Sequence, residues 1–344
     1  MQNKFSIIVL TYNSGEYIKK TIESILPNMI DGDELIIIDN NSSDDTISKI
    51  QEISIENCSI YKLSKNIGIS AGRNLGASLA KHSKLAFIDS DIILEKTSLR
   101  NARIKINECD ALIGEYYDEG NGLNWQIEMT RELFAKKRKE NFDGPITFKK
   151  FATFSGGMCV IDKDVFLKAG GYSEKYFGSP CEDINFEFEL LKQKRKLLID
   201  KSFVGHHKKK KLTLWGLIKR GIHSGKGVAL LIRSSFKHKV IVPFNLQWPR
   251  FPLYILLFII LLSIFKPWSL ITLAVLTILR WLTIIFSIKK RYSLIRLINF
   301  EVLRFIYEFV LLFSLFYHSI FYWPKTENAI SNYKIIEVKN GRKS

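Results

Sequence analysis

Cysteine is scarce in this chain, and its few copies are scattered. The 344 residues include four cysteines, namely Cys58, Cys109, Cys159 and Cys181. This spacing does not fit a CxxC metal-binding motif and does not suggest a disulfide framework. We therefore expect free thiols in a reducing compartment.

The N-terminus lacks the apolar core of a secretory signal peptide. The apolar run at residues 5–10 is too short for such a core, and no small-residue cleavage site follows it. The sequence also lacks an internal repeat or a low-complexity tract. We expect the first half of the chain to stay in the cytoplasm.

Acidic residues are scarce in the second half of the chain. Residues 191–344 contain 28 Lys and Arg against 5 Asp and Glu, whereas residues 1–190 contain 23 against 29. The net charge of +17 therefore comes from the half that also holds the long apolar stretches. This combination favours an anionic membrane surface over nucleic acid as the partner.

Charged residues are nearly absent from two of these stretches. Residues 251–265 carry none, and residues 269–288 carry only Arg280. A helix needs about 20 apolar residues to cross a bilayer, so the second stretch is long enough, while the first must borrow residues before it or stay re-entrant. Buried helices of a soluble protein are the alternative.

A third apolar segment, residues 305–323, contains Glu308 and His318. Three full spans would place the basic C-terminal tail outside the cell, against the positive-inside rule. We therefore expect this third segment to lie in the membrane interface.

Short runs rich in Ile and Val alternate with segments of helical spacing in the first half. Such alternation predicts an α/β fold with a mostly parallel, Rossmann-like sheet. The expected strands are residues 5–10, 34–38, 59–63 and 85–88, and the expected helices are residues 16–26, 44–52 and 70–81. Ligands of such sheets bind outside the carboxyl ends of the strands. Polar residues follow several strands at this edge, namely Thr11, Asp39, Asn66 and Asp89.

The triplet Asp89-Ser90-Asp91 directly follows the apolar run at residues 85–88. Carboxylate oxygens are the ligands that Mg²⁺ and Mn²⁺ select, and such a cation can hold a nucleotide diphosphate. A simple turn after a strand is the alternative, because Asp and Ser are common in turns. The strand-end position favours the metal site.

Several motifs recur in an order that is typical of one enzyme family. They are Thr11-Tyr12-Asn13, Ile38-Asp39-Asn40-Asn41-Ser42-Ser43-Asp44-Asp45-Thr46, Asn66-Ile67-Gly68, Gly72-Arg73-Asn74, Asp89-Ser90-Asp91, Ser155-Gly156-Gly157-Met158, Phe166-Leu167-Lys168-Ala169-Gly170-Gly171-Tyr172 and Cys181-Glu182-Asp183. In this order the chain resembles the family 2 glycosyltransferases of the GT-A fold, over residues 4–210. Each motif alone is a weak signal, whereas the ordered set is specific.

The resemblance implies a binding site for a nucleotide sugar. It assigns the nucleoside to Asp39, with Thr11 and Tyr12 beside the base, and the phosphates to Arg73. Asp39 could instead cap a helix, Tyr12 could pack in the core, and Arg73 could be a solvated helix residue. The other residues expected to bind the donor are Asn13, Asn66, Gly68, Asp89 and Ser90.

The same resemblance implies a divalent cation, Mn²⁺ or Mg²⁺. It gives Asp91 as the main ligand and Asp89 as a contact to the ribose or the metal. His206 is expected to complete the metal shell, because imidazole binds Mn²⁺-type ions well. A surface histidine beside the basic run at residues 208–211 is the alternative.

Glu182 and Asp183 precede an apolar helical pattern. The helix dipole alone favours acidic residues there. The resemblance, however, places the catalytic base at this pair, and a base must take a proton from the acceptor hydroxyl. We expect Asp183 to be the base, with Glu182 as the rival.

The acceptor is expected to bind near Gly156 and Gly157, where the backbone can pass close to a substrate. Trp125, in a predicted helix over residues 124–139, offers a face for stacking on a sugar. The family often has Arg at the position of Asp162. Because this chain differs there, the sequence does not show which residue supports the acceptor loop.

These predictions combine into a domain plan and a function. The plan is a catalytic domain at residues 1–212, a basic linker at 213–248, membrane helices at 249–323 and a basic tail at 324–344. The resemblance implies an inverting glycosyltransferase on the cytoplasmic membrane, facing the cytoplasm. It would use a UDP-, GDP- or dTDP-sugar and a lipid-linked glycan acceptor of the cell envelope. A nucleotidyltransferase and an inactive membrane scaffold are the alternatives.

Overall fold

The computed structural model describes residues 3–53, 55–122, 144–147, 155–238, 294–321 and 333–338. Four of the sequence-based predictions lie outside these residues. They concern Trp125, the helix at residues 124–139, and the apolar stretches at residues 251–265 and 269–288.

The strands of the described residues belong to one sheet. They are β1 (Phe5–Thr11), β2 (Glu34–Asp39), β3 (Cys58–Leu63), β4 (Lys84–Ile88), β5 (Ile92–Leu94), β6 (Ala111–Gly122), β7 (Gly144–Pro145), β8 (Met158–Asp162), β9 (Leu197–Leu212) and β10 (Ile335–Val338). The first four strands lie where the Ile- and Val-rich runs predict them, with ends that differ by at most one residue.

The α-helices of the described residues are α1 (Ile18–Ile25), α2 (Thr46–Gln51), α3 (Ile69–Leu79), α4 (Ser98–Lys105), α5 (Lys163–Lys168), α6 (Glu182–Lys192), α7 (Leu214–His238) and α8 (Leu294–Phe321). The first three match the predicted helices but are shorter. One reason is that α1 passes into a 3₁₀ turn at Leu26–Asn28, where Pro27 cannot donate a backbone hydrogen bond.

The sheet order is β10-β3-β2-β1-β4-β8-β6-β9-β5, and β7 pairs with β9. Strands β3, β2, β1 and β4 are parallel. Strand β8 joins β4 antiparallel, and later strands continue in that sense. The sheet is therefore mixed, which corrects the expectation of a mostly parallel sheet while leaving the α/β class intact.

Helix α3 packs closely on β1 because it presents glycines to the strand. A Cβ atom on Gly72 would come within 2.4 Å of Leu10, and one on Gly76 within 2.4 Å of Ile8. Strands β1 and β2 are buried on both faces, so they read as continuous apolar runs. This packing fixes the carboxyl ends of β1, β2 and β4, where the motif residues lie.

Strand β10 pairs antiparallel with β3, with Ile335 opposite Leu63 and Val338 opposite Ile60. The backbone nitrogen of Ser64 donates to the oxygen of Lys334, at 3.0 Å. The region expected to be only a basic tail therefore contributes an edge strand to the sheet.

The chain divides into two compact units. The first contains residues 1–119, 142–209 and 324–344, and the second contains residues 120–141 and 210–323. The predicted boundary at residue 212 stays a prediction, as does the linker at 213–248, of which α7 occupies a large part. Among the described residues, one helical segment, Val302–Phe321, is long and apolar enough to cross a membrane. The core helix of a soluble protein can meet the same criterion.

Candidate active site

The ends of β1 and β2 place two buried polar side chains next to each other. Thr11 and Asp39 are register partners, and both are buried. Asp39 Oδ2 accepts a hydrogen bond from the backbone nitrogen of Ser42, at 3.1 Å. Among the described residues, Asp39 Oδ1 and Thr11 Oγ1 have no hydrogen-bond partner. Buried polar atoms are nearly always paired, so this pair is suited to a ligand.

Burial raises the pKa of Asp39, and the hydrogen bonds from Ser42 oppose that effect. The alternative interpretation of Asp39 as a helix cap does not hold, because Ser42 lies in a loop and α2 begins only at Thr46. The carboxyl group therefore lies buried at the binding edge of the sheet with one oxygen left for a donor group.

Tyr12 follows Thr11 and is half exposed, so it does not pack in the core. Asn13 adopts a left-handed conformation, with φ 50°. Its Oδ1 accepts from the backbone nitrogen of Ser43 at 2.9 Å, and its own nitrogen donates to Ser42 Oγ at 2.9 Å. Asn13 thus joins the loop after β1 to the loop after β2.

Asn66 and Gly68 shape the loop after β3. Asn66 Oδ1 accepts from the Asn40 side chain at 3.1 Å and from the Gly68 nitrogen at 2.9 Å. Gly68 has φ 87°, a conformation that favours glycine. A direct contact of either residue with a donor stays a prediction, and their hydrogen bonds support a role in holding the loop.

Arg73 connects the end of β4 to the start of α6. Its Nη2 lies 2.7 Å from Asp89 Oδ1, and its Nη1 lies 3.2 Å from Glu182 Oε1. Only 5% of the arginine is exposed, and its guanidinium lies over the ring of Tyr172, 5.3 Å from the centroid. A single buried cation therefore holds two carboxylates from distant segments. Phosphate binding by Arg73 stays a prediction.

Gly156 and Gly157 lie directly against this cluster. A Cβ atom on Gly157 would come within 2.0 Å of Asp89 Oδ2, and one on Gly156 within 2.6 Å of Arg73 Nη1. The oxygen of Gly157 also accepts from the nitrogen of Asp89, at 2.7 Å. Both positions require glycine because a side chain would displace Asp89 or Arg73. Acceptor binding at these glycines stays a prediction.

Asp91 contacts a histidine, but not the one expected from the sequence. His207 Nε2 lies 3.2 Å from Asp91 Oδ2, whereas His206 Nε2 lies 3.4 Å from Glu95 Oε1. The reason is strand parity: neighbouring residues of β9 point to opposite faces, and His207 pairs in register with Ile92. The structure thus brings Asp91 together with His207 and not with His206.

Ser90 faces inward. Its Oγ lies 2.8 Å from Ser14 Oγ, and its backbone oxygen accepts from Thr21 Oγ1 at 3.0 Å. These bonds fasten the loop after β4 to the first residues of α1 and the segment before it. A contact of Ser90 with the donor stays a prediction.

Asp183 and Glu182 form the first turn of α6, after Cys181 in a left-handed conformation. Asp183 Oδ1 accepts from the Ile184 nitrogen, at 2.8 Å. Burial, followed by the neighbouring Glu182, raises the pKa of Asp183 to about 8. Burial also raises the pKa of Glu182, against the opposing effect of Arg73. Of the two, Glu182 is the one paired with Arg73.

Tyr172 and Asn74 are parts of this site to which sequence reasoning gave no role. The Asn74 side chain donates to the backbone oxygen of Tyr172 and accepts from the backbone nitrogen of Tyr172, both at 2.9 Å. Tyr172 in turn lies under Arg73. The sequence did contain a signal for them, because both residues lie in the recurring motifs.

Asp162 caps α5 and pairs with Lys84 at 3.0 Å, which accounts for an acidic residue there.

A metal ion at Asp91 would find an incomplete set of protein ligands. No group of three His, Cys, Asp or Glu side chains that could hold a metal occurs among the described residues. One carboxylate and one imidazole are suitable ligands for Mn²⁺, and Mg²⁺ or Mn²⁺ often takes its other ligands from water and substrate phosphates. The residues present therefore fit a cation whose shell the diphosphate completes.

Residues 6–168 match the family model described as glycosyl transferase family 2. The chain carries a family 2 glycosyltransferase domain. The recurring motifs lie within or shortly after this matched segment, and the resemblance drawn from them is confirmed. Residues 169–210 extend the resemblance beyond the match.

Two curated bacterial glycosyltransferases are similar to this domain. The poly(ribitol-phosphate) beta-N-acetylglucosaminyltransferase TarP of Staphylococcus aureus is 30% identical over 55% of this chain and 57% of its own length. The UDP-Glc:alpha-D-GlcNAc-diphosphoundecaprenol beta-1,3-glucosyltransferase WfaP of Escherichia coli is 34% identical over 46% of this chain and 60% of its own. The chain therefore spans little more than half the length of these relatives.

A solved structure shares the fold over most of the chain. It is the mannosyltransferase PcManGT of Pyrobaculum calidifontis in complex with GDP-Man and Mn²⁺, with a TM-score of 0.56 and 16% identity. The match covers 93% of this chain and 88% of that one. This similarity confirms the GT-A α/β fold of the glycosyltransferase domain.

Proposed function

We propose that this protein is an inverting glycosyltransferase that moves a sugar from a nucleoside diphosphate to a hydroxyl of a lipid-linked glycan. The observation that carries the proposal is the Arg73 bridge. It joins Asp89, in the loop that follows β4, to Glu182, in the acidic pair that begins α6. The loop that we propose to bind the diphosphate is therefore close to the acidic pair that we propose to supply the base.

The nucleoside is proposed to bind at Asp39. The orphaned Oδ1 can accept a hydrogen bond from an N–H of a base or an O–H of a ribose. Thr11 Oγ1 lies in the same buried edge, and the exposed Tyr12 ring can cover the base. The position outside the carboxyl ends of parallel strands is the usual ligand site of such sheets.

A divalent cation is proposed to be held by Asp91 and His207, with Asp89 nearby. When bound, the cation would stabilise negative charge on the diphosphate leaving group. His207 is preferred to His206 because its ring nitrogen already lies against Asp91. PcManGT was solved with Mn²⁺, which supports divalent cation use by this fold.

Asp183 is proposed to take the proton of the acceptor hydroxyl. That oxygen then forms a bond to the anomeric carbon from the face opposite the diphosphate, whose C–O bond breaks, so the configuration inverts. A raised pKa makes the ionised Asp183 a stronger base than an ordinary carboxylate. Glu182 is the weaker candidate because Arg73 already neutralises it.

The lipid-linked acceptor and the membrane location are proposals supported by relatives and composition. WfaP is named for a diphosphoundecaprenol acceptor. The basic and apolar second half of this chain suits a membrane that holds such an acceptor. Basic residues beside apolar segments also favour attachment to the cytoplasmic side of that membrane.

A turnover screen tests the proposal. Purified full-length protein in detergent is given a panel of UDP-, GDP- and dTDP-sugars with lipid-linked acceptors, with and without Mn²⁺ or Mg²⁺. We expect release of a nucleoside diphosphate, loss of turnover in Asp91→Ala and Asp183→Asn, and normal turnover in Asp164→Asn, an exposed carboxylate on α5. Release of free pyrophosphate would identify a nucleotidyltransferase instead, and full turnover of Asp91→Ala would contradict the metal assignment.

A further inference from the structure

Helix α8 presents an exposed apolar stripe. Val302, Phe313, Phe316 and Ile320 lie within one face of the helix at helical spacing, and each is more than half exposed. Phe313 is 69% exposed and Phe316 is 65% exposed. Aromatic and aliphatic side chains exposed in a row indicate a surface that meets an apolar environment.

The opposite face of α8 is fastened to α7 by polar contacts. Tyr307 Oη donates to Ser224 Oγ at 3.0 Å, and Ser314 Oγ donates to the Ile222 oxygen at 2.6 Å. Farther along, Arg233 Nη2 donates to the Ser319 oxygen at 2.6 Å. The two helices therefore lie side by side over several turns and must sit at a common depth in any membrane.

Helix α7 does not suit the hydrocarbon core of a bilayer. It carries Lys219, Arg220, Lys226 and Arg233, and its own sequence contains no acidic residue. Charged side chains are costly within a bilayer and are rare in spanning helices. Because α8 is held alongside α7, it is kept at the bilayer surface despite its apolar composition.

A buried ion pair on α8 agrees with this position. Arg304 Nε lies 2.7 Å from Glu308 Oε1, and both residues are buried within the protein. The pair occupies the protein side of the helix, away from the apolar stripe. An interfacial helix divides its two faces in this way, with one toward lipid and one toward polar surroundings.

The return of the chain to the sheet gives an independent argument. Strands β9 and β10 belong to the same sheet, so the chain leaves it after Leu212 and is back by Ile335. Both ends of the intervening region are therefore on one side of any membrane, and the number of crossings must be even. The sequence offers three apolar segments, and an even number of crossings means that they cannot all cross.

We propose that α7 and α8 form an interfacial docking surface for an anionic membrane, with α8 lying in the plane of the headgroups. The apolar stripe of α8 enters the interface, and the cations of α7 attract acidic lipid headgroups. This surface concerns how the protein meets the membrane and does not rest on the donor or acceptor assigned above.

Depth measurements with spin labels test this arrangement. The full chain, carrying Phe313→Cys, Phe316→Cys or Ile320→Cys, is reconstituted in vesicles that contain phosphatidylglycerol, and the access of oxygen and of a water-soluble nickel chelate to each label is compared. We expect one shallow depth for all three labels. A crossing helix would instead separate the first and last labels by about 10 Å in depth, given a rise of about 1.5 Å per residue. That gradient, or full access of the chelate to all three labels, would overturn the proposal.

A control label, charge-removing substitutions and a change of lipid test the interpretation. A label at Ile104→Cys, an exposed isoleucine of α4, should remain in water. The parent chain, treated with the same label, measures the background from the native cysteines. Lys219→Gln with Arg220→Gln, which removes two exposed cations of α7, should raise chelate access at the α8 labels several-fold. Lys20→Gln with Lys168→Gln, which are exposed lysines elsewhere, should not. Equal label depth in vesicles of phosphatidylcholine alone would contradict the requirement for anionic lipid.

Discussion

Arg73 Nη2 lies 2.7 Å from Asp89 Oδ1, in a position where the arginine is almost fully buried. Its other terminal nitrogen reaches Glu182. Removing one partner of a buried pair leaves uncompensated charge, so the arrangement makes both carboxylates depend on one cation.

Arg73→Ala should therefore destabilise the fold strongly. We expect a loss of roughly 3 kcal/mol in the free energy of unfolding, measured by denaturant titration, because Asp89 and Glu182 both lose their cation. Arg100→Ala removes an exposed arginine of α4 and should change the free energy by less than about 0.5 kcal/mol. Equal small losses in both variants would show that the bridge contributes little.

The activity should depend on the ionisation of Asp183. Its pKa is raised from 3.8 to about 8, chiefly by burial, and a base accepts a proton only when ionised. Turnover should therefore rise as the pH increases through about 8. A profile already flat from the acidic side would argue against Asp183 as the base.

The same shift affects stability with a defined sign. Because the folded state favours the neutral carboxyl, the contribution of Asp183 is fully present below pH 3.8 and is lost as the pH rises through about 8. Asp183→Asn should remove this decline from a plot of unfolding free energy against pH. An unchanged plot for the variant would assign the decline to other groups.

The two neighbouring histidines should differ in their effect on cation use. His207→Ala should raise the Mn²⁺ concentration for half-maximal turnover by roughly tenfold or more. Metal affinity falls by about that factor even when the residue removed only supports a metal ligand. His206→Ala is the matched control, because His206 lies by Glu95 rather than Asp91. A larger effect of His206→Ala would restore the ligand that the sequence predicts.

Two buried aspartates should separate binding from stability. Asp39→Asn should weaken nucleotide binding, measured by calorimetry, by roughly tenfold or more, because it alters a charged hydrogen-bond acceptor without breaking an ion pair. Asp33 is paired with buried Arg103, so Asp33→Asn should lower stability by roughly 3 kcal/mol and leave nucleotide affinity intact. Loss of affinity in Asp33→Asn with normal binding in Asp39→Asn would reverse these roles.

Much of the fold and part of the site follow from the sequence. The buried strands could be predicted because their continuous apolar runs are the pattern of a covered parallel sheet, and the strand ends then locate Thr11, Asp39 and Asp89. The pairing of β10 with β3 could not, because it joins segments far apart in the chain. Strand β10 is also only 4 residues long, so its apolar residues give a weak local signal.

The contacts of the charged side chains could not be predicted from the sequence. A sequence motif shows that Arg73 is present but not that it is buried between Asp89 and Glu182. The choice between His206 and His207 depends on which face of β9 each occupies, and a register shift of one residue reverses it. Such contacts need the register and the packing of the folded chain.

A crystal structure of the full chain with Mn²⁺ and a bound nucleoside diphosphate tests the central claim most directly. We predict the base or ribose at Asp39 Oδ1, and the cation between the diphosphate, Asp91 and His207. A nucleotide bound away from the ends of β1, β2 and β4, with Asp39 Oδ1 and Asp91 untouched, would contradict the account.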